Sequence, residues 1–331
     1  MKILFLGGTG NISTECASLL HRNGNEITIL SRGNALAPSE YRTLKADRKN
    51  LTAMRDALAD VEYDTVINFL GFELSDVQND FALFSERTRQ YIFISSATVY
   101  AKPPSRLPIS EDAPLGNIWW DYAQKKLACE RWLLDKHKDS GFPVTIVRPS
   151  HTYSKRWVPN PVSSASYTFA ARLEQNKPVF VPDNGENPWT LTAATDFASG
   201  MAGLVGNETA LGEAFHITSE EVLTWNQIYA AIASALGMGP APPIQIPTDF
   251  ICQIAPQLTG NLKGDKSHPG VFDNSKIKRF NPQFRCRKSF LEGIRESVGW
   301  LRQHPEQQNL NSQVDATFEQ VINAWQNSGR T

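Results

Sequence analysis

The chain has 331 residues, 41% hydrophobic and 20% charged, with a formal net charge of -1. That balance belongs to an ordinary globular protein and offers no bulk electrostatic footprint for nucleic acid. The length suits one large domain or two moderate ones.

The pattern predicts a short buried strand over Lys2 to Leu6, ending in glycines, and a helix over Asn11 to Arg22 with Ile12, Cys16, Leu19 and Leu20 on one face. Glu26 to Leu30 reads as the second strand and Tyr41 to Lys45 as the third. A helix over Leu51 to Leu58 follows. Thr65 to Phe69, Tyr91 to Ser95 and Val144 to Val147 complete six strands, with a long helix over Tyr122 to His137. Apolar strands alternating with amphipathic helices predict a parallel sheet covered on both faces, the Rossmann-type doubly wound α/β fold.

After Arg148-Pro149 the rhythm changes. Pro149, Pro159, Pro161, Pro178, Pro182 and Pro188 divide the chain into short pieces. Ala214 to Ile217 is expected to return to the main sheet. Trp225 to Leu236 reads as a helix capped by Thr224, residues 240–247 as a proline-rich connector, and Phe290 to Gln303 and Val314 to Trp325 as closing helices. The expected organisation is a dinucleotide-binding domain over 1–150 and a smaller substrate-binding lobe over 151–331.

The four cysteines, Cys16, Cys129, Cys252 and Cys286, form no CxxC and share no zinc-ligand spacing with histidine. They read as reduced packing thiols, with no metal site. No apolar run approaches the roughly 20 residues of a membrane span. The first strand starts at Lys2, so no leader is expected, and the expected compartment is the cytoplasm.

Gly7-Gly8-Thr9-Gly10-Asn11-Ile12-Ser13 joins the first strand to the first helix. Gly7 permits the tight turn, and Gly10 lets a pyrophosphate approach the helix N-terminus. The third small position is Ser13. Asn11, Ile12 and Leu70, which follows the fourth strand, are further candidates for cofactor contact. The second strand runs into Ser31-Arg32-Gly33, without the carboxylate that NAD-selective sites place there. Arg32 can pair with a 2′-phosphate, which favours NADP(H), with NAD as the alternative. Asp47 is placed to accept from an adenine amino group.

Tyr122 and Lys126 stand one helical turn apart on the same face, downstream of the hydroxyl-rich strand end Ser95-Ser96-Ala97-Thr98. A free tyrosine has a pKa of about 10. A nearby ammonium in a partly dry site stabilises its phenolate by up to ~4 kcal/mol. Tyr122 can then serve as general base in oxidation and general acid in reduction, with Ser96 holding the substrate oxygen and Lys126 also reaching the nicotinamide ribose.

The order Gly7-x-x-Gly10, Ser95-Ser96-Ala97-Thr98-Val99-Tyr100, Tyr122-x-x-x-Lys126 and Arg148-Pro149 resembles the extended short-chain dehydrogenase/reductases, and most closely their NAD-dependent epimerase/dehydratase group. The resemblance is firmest up to Arg148. Beyond it, Trp189-Thr190-Leu191-Thr192, Asp196-Phe197-Ala198 and Asp273-Asn274-Ser275-Lys276 echo the same pattern. It implies a bound nicotinamide dinucleotide, a homodimer, and catalytic roles for Ser96, Tyr122 and Lys126. Nucleotide-sugar members of that group carry two arginines for the substrate diphosphate. Trp189 and His268 stand at those places here.

The substrate lining is therefore expected to be aromatic and neutral: Trp119, Trp120, His151, Tyr153, Trp157 and Trp189, with Trp120, His151 and Trp189 the leading candidates. Arg148, Arg156 and Arg172 are the arginines left to supply charge. The expected function is an NAD(P)-dependent oxidoreductase of a small non-nucleotide alcohol or ketone, such as a sugar, a glycoside or a phenolic ketone. No nucleic-acid or membrane partner is expected. The alternatives are a nucleotide-sugar epimerase or dehydratase with tightly bound NAD, and a non-catalytic cofactor-sensing or RNA-associated protein.

Overall fold

The computed structural model describes the chain from Met1 to Gly329, apart from Ala35, Asp60, Pro240 and Ala241. The start of the predicted proline-rich connector thus lies outside the described residues. Seven strands form the central sheet: β1 (Lys2–Leu6), β2 (Glu26–Ser31), β3 (Arg42–Lys45), β4 (Tyr63–Asn68), β5 (Thr88–Ile94), β6 (Val144–Pro149) and β7 (Ala214–Ile217). They lie in the order β7-β6-β5-β4-β1-β2-β3, and every pair is parallel.

Strand period explains the two-sided burial. Ile3 and Phe5 of β1 enter one core with Cys16, Ile29, Phe197 and Phe215, while Leu4 and Leu6 enter another with Met54, Val77, Cys129 and Leu133. The covering helices include α1 (Ser13–Arg22), α2 (Leu51–Leu58), α3 (Leu74–Phe84) and α4 (Asp121–Ser140). α1 starts at Ser13, two residues later than the apolar pattern predicts. The Gly10 N–H donates to Ser13 Oγ and keeps Asn11 and Ile12 in the turn.

The strand order reverses beside β1, whose neighbours are β2 and β4. In open parallel sheets this switch point leaves a crevice beyond the strands' carboxyl ends, where ligands bind.

Past Pro149 the chain builds a third core, which includes Phe169, Phe180, Trp189, Trp225, Phe318 and Trp325. The helix α5 (Ala194–Ala202) instead returns to the sheet, with Phe197 and Met201 in the core that holds Cys16. α6 (Trp225–Ala235) opens with a reciprocal cap between Thr224 and Gln227. α7 (Phe290–Gln303) and α8 (Ser312–Asn327) close the lobe. All four cysteines are free thiols. No helix among the described residues is long and apolar enough to cross a membrane.

Candidate active site

A cavity of about 790 Å³ opens between the glycine turn, the ends of β4, β5 and β6, the start of α4, and the lobe segment around 257–266. Gly7, Gly10, Asn11, Ile12, Leu70, Ser96, Trp120, Tyr122, Lys126 and His151 all line it. Residues far apart in sequence thus share one wall.

The glycine turn is built for close approach. Gly7 has φ of +89° and Gly8 of +144°, and a Cβ at either would lie 3.0 Å from Leu70 or Ile29. The Asn11 side chain is committed elsewhere: its amide donates to Thr152 O at 2.8 Å and its carbonyl accepts from Ser154 N–H at 2.9 Å. It ties the turn to the chain after β6. Ser95 Oγ is buried on the cavity wall and has no hydrogen-bond partner among the described residues. An open glycine cradle and an orphaned hydroxyl fit the phosphates and sugar of a dinucleotide. Arg32 and Asp47 are exposed and lie off the cavity wall. Asp47 Oδ1 accepts from Lys49 N–H. The Lys45 side chain runs beside Gly33, adding a second cation at the end of β2.

Ser96 and Tyr122 are hydrogen-bonded. Ser96 Oγ already accepts from Thr98 N–H at 3.2 Å and Thr98 O–H at 2.9 Å, so its own proton is left for the phenolic oxygen. Lys126 is 2% exposed, and its ammonium donates to Gly71 O at 2.6 Å and Ile94 O at 2.8 Å. It lies 5.9 Å from the centre of the Tyr122 ring. Here the structure corrects an expectation. The ammonium is engaged by backbone carbonyls, and Tyr122 is held above its ordinary pKa by burial, against the Ser96 hydrogen bond. Burial also lowers Lys126, to about 8.

His151 lines the cavity with both ring nitrogens engaged. Nδ1 receives the Trp189 indole N–H at 3.2 Å, and Nε2 lies 2.8 Å from Ser164 Oγ. An indole only donates, so the His151 proton sits on Nε2 and is given to Ser164. Burial, with the Lys266 charge, drives the imidazole down to about 3, so it is neutral near pH 7.

Trp189 itself does not reach the cavity. It is 1% exposed and stacks on Trp225 with ring centroids 5.3 Å apart. The third core claims it, and it acts on the site only through His151. Tyr153 is buried against Phe290, and Trp119 points to solvent, with Lys263 at 5.3 Å from its ring. Only Trp120, Trp157 and His151 of the expected aromatic lining stand on the wall.

His268 lies off the wall. It bonds Lys263 O at 3.0 Å and is held below its ordinary pKa, first by burial. Arg148 is locked on Glu130 at 2.7 Å, Arg172 on Asp315 at 2.6 Å, and Arg156 lies beside Trp300. None of the three lines the cavity.

The wall is nevertheless not neutral. Asp265 and Lys266 belong to it, 2.7 Å apart, together with Asn160, Ser163, Ser164, Gln257 and Asn261. The sequence offers one signal for the pair, a Gly260-x-x-x-Gly264 spacing directly ahead of it.

Residues 3–217 match the model of the NAD dependent epimerase/dehydratase family, and the protein belongs to that family. Its members are NAD-dependent oxidoreductases, epimerases and dehydratases. The chain is 30% identical over 260 residues to the chloroplast stem-loop binding protein of 41 kDa b of Arabidopsis thaliana, covering 73% of this chain and 65% of that one. It thus spans about two thirds of that relative's length. It is 24% identical over 292 residues to the 2′-dehydrokanamycin reductase of Streptomyces kanamyceticus, covering 87% and 81%. The fold matches UDP-glucose 4-epimerase from Bifidobacterium longum in complex with NAD+ and UDP, with a TM-score of 0.75 and 19% identity over 93% of this chain and 100% of that chain.

Proposed function

We propose that the protein is an NAD(P)-dependent oxidoreductase that reduces a ketone, or oxidises the matching secondary alcohol, of a small non-nucleotide substrate. The observation that carries this reading is the Ser96–Tyr122 hydrogen bond above a buried Lys126, on a wall continuous with the glycine turn. A Ser, Tyr and Lys set in this order beside a dinucleotide cradle is machinery for moving a proton to or from a carbinol oxygen.

Gly7, Gly8, Gly10 and the α1 N-terminus would hold the pyrophosphate, with Ile12, Leu70, Ser95 and Lys126 along the rest of the dinucleotide. When bound, the cofactor supplies or takes the hydride. The chain's own residues do the remainder. Burial keeps Tyr122 protonated at neutral pH, so its resting role is general acid toward a ketone oxygen. Ser96 directs its proton at the same place and orients the carbonyl. Lys126 anchors the ends of β4 and β5 through Gly71 O and Ile94 O, and so fixes the floor beneath the phenol.

Arg32 and Lys45 at the end of β2 support NADP(H) as the preferred cofactor, through charge-assisted contacts to a 2′-phosphate. The 24% identity to a reductase of an aminoglycoside ketone supports net reduction of a compact carbohydrate-like substrate. The deciding experiment follows NADPH consumption with keto-sugar, keto-glycoside and phenolic ketone substrates, wild type against Tyr122→Phe. Turnover by the wild type alone supports the reading; no turnover by the wild type ends it, and equal rates in both end the role given to Tyr122.

The family and the fold neighbours favour one other reading, a nucleotide-sugar epimerase retaining NAD. NAD that copurifies in stoichiometric amount would select it. The Arabidopsis relative's name raises RNA association, which a salt-dependent RNA mobility shift tests.

A further inference from the structure

The ionisable side chains on the cavity wall are Tyr122, Lys126, His151, Asp265 and Lys266. The reaction uses the first two, and His151 is neutral with both nitrogens engaged. Asp265 and Lys266 transfer no proton in that chemistry, although the Asp265 charge adds to the burial that raises Tyr122, and they are each 8% exposed at the same cavity. Burying charge is costly unless it is paired, and a pair at a cavity wall is positioned to meet a ligand.

The pair is held with care. It ends a π-helical turn, Leu262–Lys266, a distortion frequent at functional sites. Asp265 is braced from the other lobe by Lys102, whose ammonium lies 3.7 Å from Oδ1. The Asn117 amide donates to Thr98 O at 2.8 Å and Gly264 O at 2.6 Å, joining the two lobes at the same place. Trp120 lies alongside, its ring 6.0 Å from Lys266 Nζ. The close fit depends on two glycines: a Cβ at Gly260 would stand 2.5 Å from Trp120 Cδ1, and one at Gly264 3.0 Å from its Cβ.

Unused valences point to the ligand. Among the described residues, Lys266 Nζ donates only to Asp265 Oδ2, at 2.7 Å, which leaves two N–H groups. Among the described residues, Asp265 Oδ1 is paired with the Lys102 ammonium at 3.7 Å, beyond normal hydrogen-bond distance, which leaves it room for a closer donor. Burial pushes the Asp265 carboxyl up, but Lys266 and Lys102 outweigh it and hold the group ionised. Spare donors and a spare acceptor lie next to each other, beside an aromatic face. Two neighbouring hydroxyls on a saturated ring offer the matching set.

We propose that Asp265 and Lys266 form a clamp for a pair of vicinal hydroxyls on a pyranose or cyclitol ring lying against Trp120. The pair determines specificity at the end of the substrate away from the reacting carbon. It selects polyhydroxylated rings over phenolic ketones, which carry no such diol. This rests on the reading that the cavity holds a small alcohol or ketone substrate.

The test is calorimetric titration of the NADP⁺-loaded protein with methyl α-D-glucopyranoside, its 2-, 3- and 4-deoxy counterparts, and 4-hydroxyacetophenone. Loss of a clamped hydroxyl should weaken wild-type binding about tenfold, and Lys266→Met and Asp265→Asn should weaken the parent glycoside about as much. NADP⁺ and 4-hydroxyacetophenone affinities should stay within about twofold. Deoxy glycosides that all bind as tightly as the parent, a parent glycoside that binds the variants unchanged, or no glycoside binding at all would each overturn the clamp. If a variant also loses NADP⁺ binding, the deoxy series on the wild type decides alone. A flat deoxy series with an inactive Tyr122→Phe removes the clamp and leaves the oxidoreductase reading standing. A graded deoxy series with no NADPH consumption by the wild type on any ketone does the reverse.

Discussion

The Trp189 indole N–H donates to His151 Nδ1 at 3.2 Å, and this one bond fixes the tautomer of a histidine on the cavity wall. The proton on Nε2 is passed to Ser164 Oγ, which also bonds Asn160 O at 3.1 Å. A buried core residue therefore acts, through His151, on a hydroxyl of the cavity wall. The same arrangement excludes a serine–histidine nucleophile here, because Nε2 arrives already protonated.

Trp189→Phe should keep the stacked core with Trp225 but release Nδ1 of His151. The imidazole then has two tautomers to choose from, and the Ser164 hydroxyl loses its fixed orientation. We expect KM to rise several-fold with kcat changed little, because Ser164 stands on the cavity wall and has no hydrogen bond to Ser96, Tyr122 or Lys126 among the described residues. Steady-state kinetics separates the two. An equal fall in kcat at unchanged KM would contradict this role.

Tyr122→Phe should abolish turnover while leaving NADPH affinity within a few-fold, since in the proposed function the phenol moves the proton and the glycine turn holds the dinucleotide. Fluorescence titration and a spectrophotometric assay on the same preparation check both halves.

Lys126 gives the pH dependence. Its pKa is lowered to about 8, first by burial. The ammonium is present below that pH and lost above it, and with it the anchoring of Gly71 O and Ile94 O. Tyr122 is raised above its ordinary value and stays protonated through the same range. The profile of kcat/KM for ketone reduction should therefore fall on its alkaline side at about pH 8. Lys126→Arg, charged to far higher pH, should remove that limb even where it lowers the plateau. A limb unmoved by Lys126→Arg would assign it to another group.

Much of the fold was legible in the sequence because strand and helix periods are local. Ala214 to Ile217 and Phe290 to Gln303 fall where the apolar pattern puts them, and Thr224 caps α6 as its hydroxyl predicts. The glycine turn was legible for the same reason, since it is a contiguous motif, and it stands on the cavity wall. The substrate end was not. Trp189 and Tyr153 look like wall residues by spacing, but both are drawn into the core packing of the lobe. Asp265 and Lys266 reach the wall only because residues 259–266 fold back onto Trp120, a contact separated by some 140 positions in the chain and invisible to any local pattern.

Arg148 illustrates a further tertiary effect. It is bidentate on Glu130, at 3.0 Å through Nε and 2.7 Å through Nη2, and bonds the Tyr100 hydroxyl at 3.2 Å. Both charged side chains are almost fully buried. Glu130→Ala leaves a guanidinium buried without its partner, and should destabilise the protein by about 3–5 kcal/mol. Urea unfolding measures this, and a change below about 1 kcal/mol would show that the pair relaxes toward water instead.

The proposed NADP(H) preference rests on the end of β2. Arg32 and Lys45 stand at neighbouring strand ends, with no carboxylate at the end of β2 to meet a ribose 2′-hydroxyl. A charge-assisted contact to a 2′-phosphate contributes about 1.5–3 kcal/mol, so NADPH should bind at least roughly tenfold more tightly than NADH. Arg32→Ala should reduce that ratio most, and Arg32→Ala with Lys45→Ala should erase it. Equal affinities in the wild type would remove the argument for NADP.

The cavity should bind nucleotide diphosphate sugars poorly. A diphosphate carries two negative charges and needs fixed cations to replace its water. The positions expected to supply them hold Trp189, buried in the core, and His268, whose pKa is lowered and which lies off the wall. Arg148, Arg156 and Arg172 are each engaged away from the cavity. Lys266 is the cation at the lobe's side of the wall, and its charge is met by Asp265 at 2.7 Å. An incoming diphosphate would gain one ammonium and confront one carboxylate, so the two nearly cancel. Calorimetric titration with uridine, thymidine and guanosine diphosphate sugars at moderate salt should show no binding tighter than millimolar. Asp265→Asn should improve that binding, because it leaves Lys266 and Lys102 uncompensated. Micromolar affinity of the wild type for any of these sugars would restore the nucleotide-sugar epimerase reading.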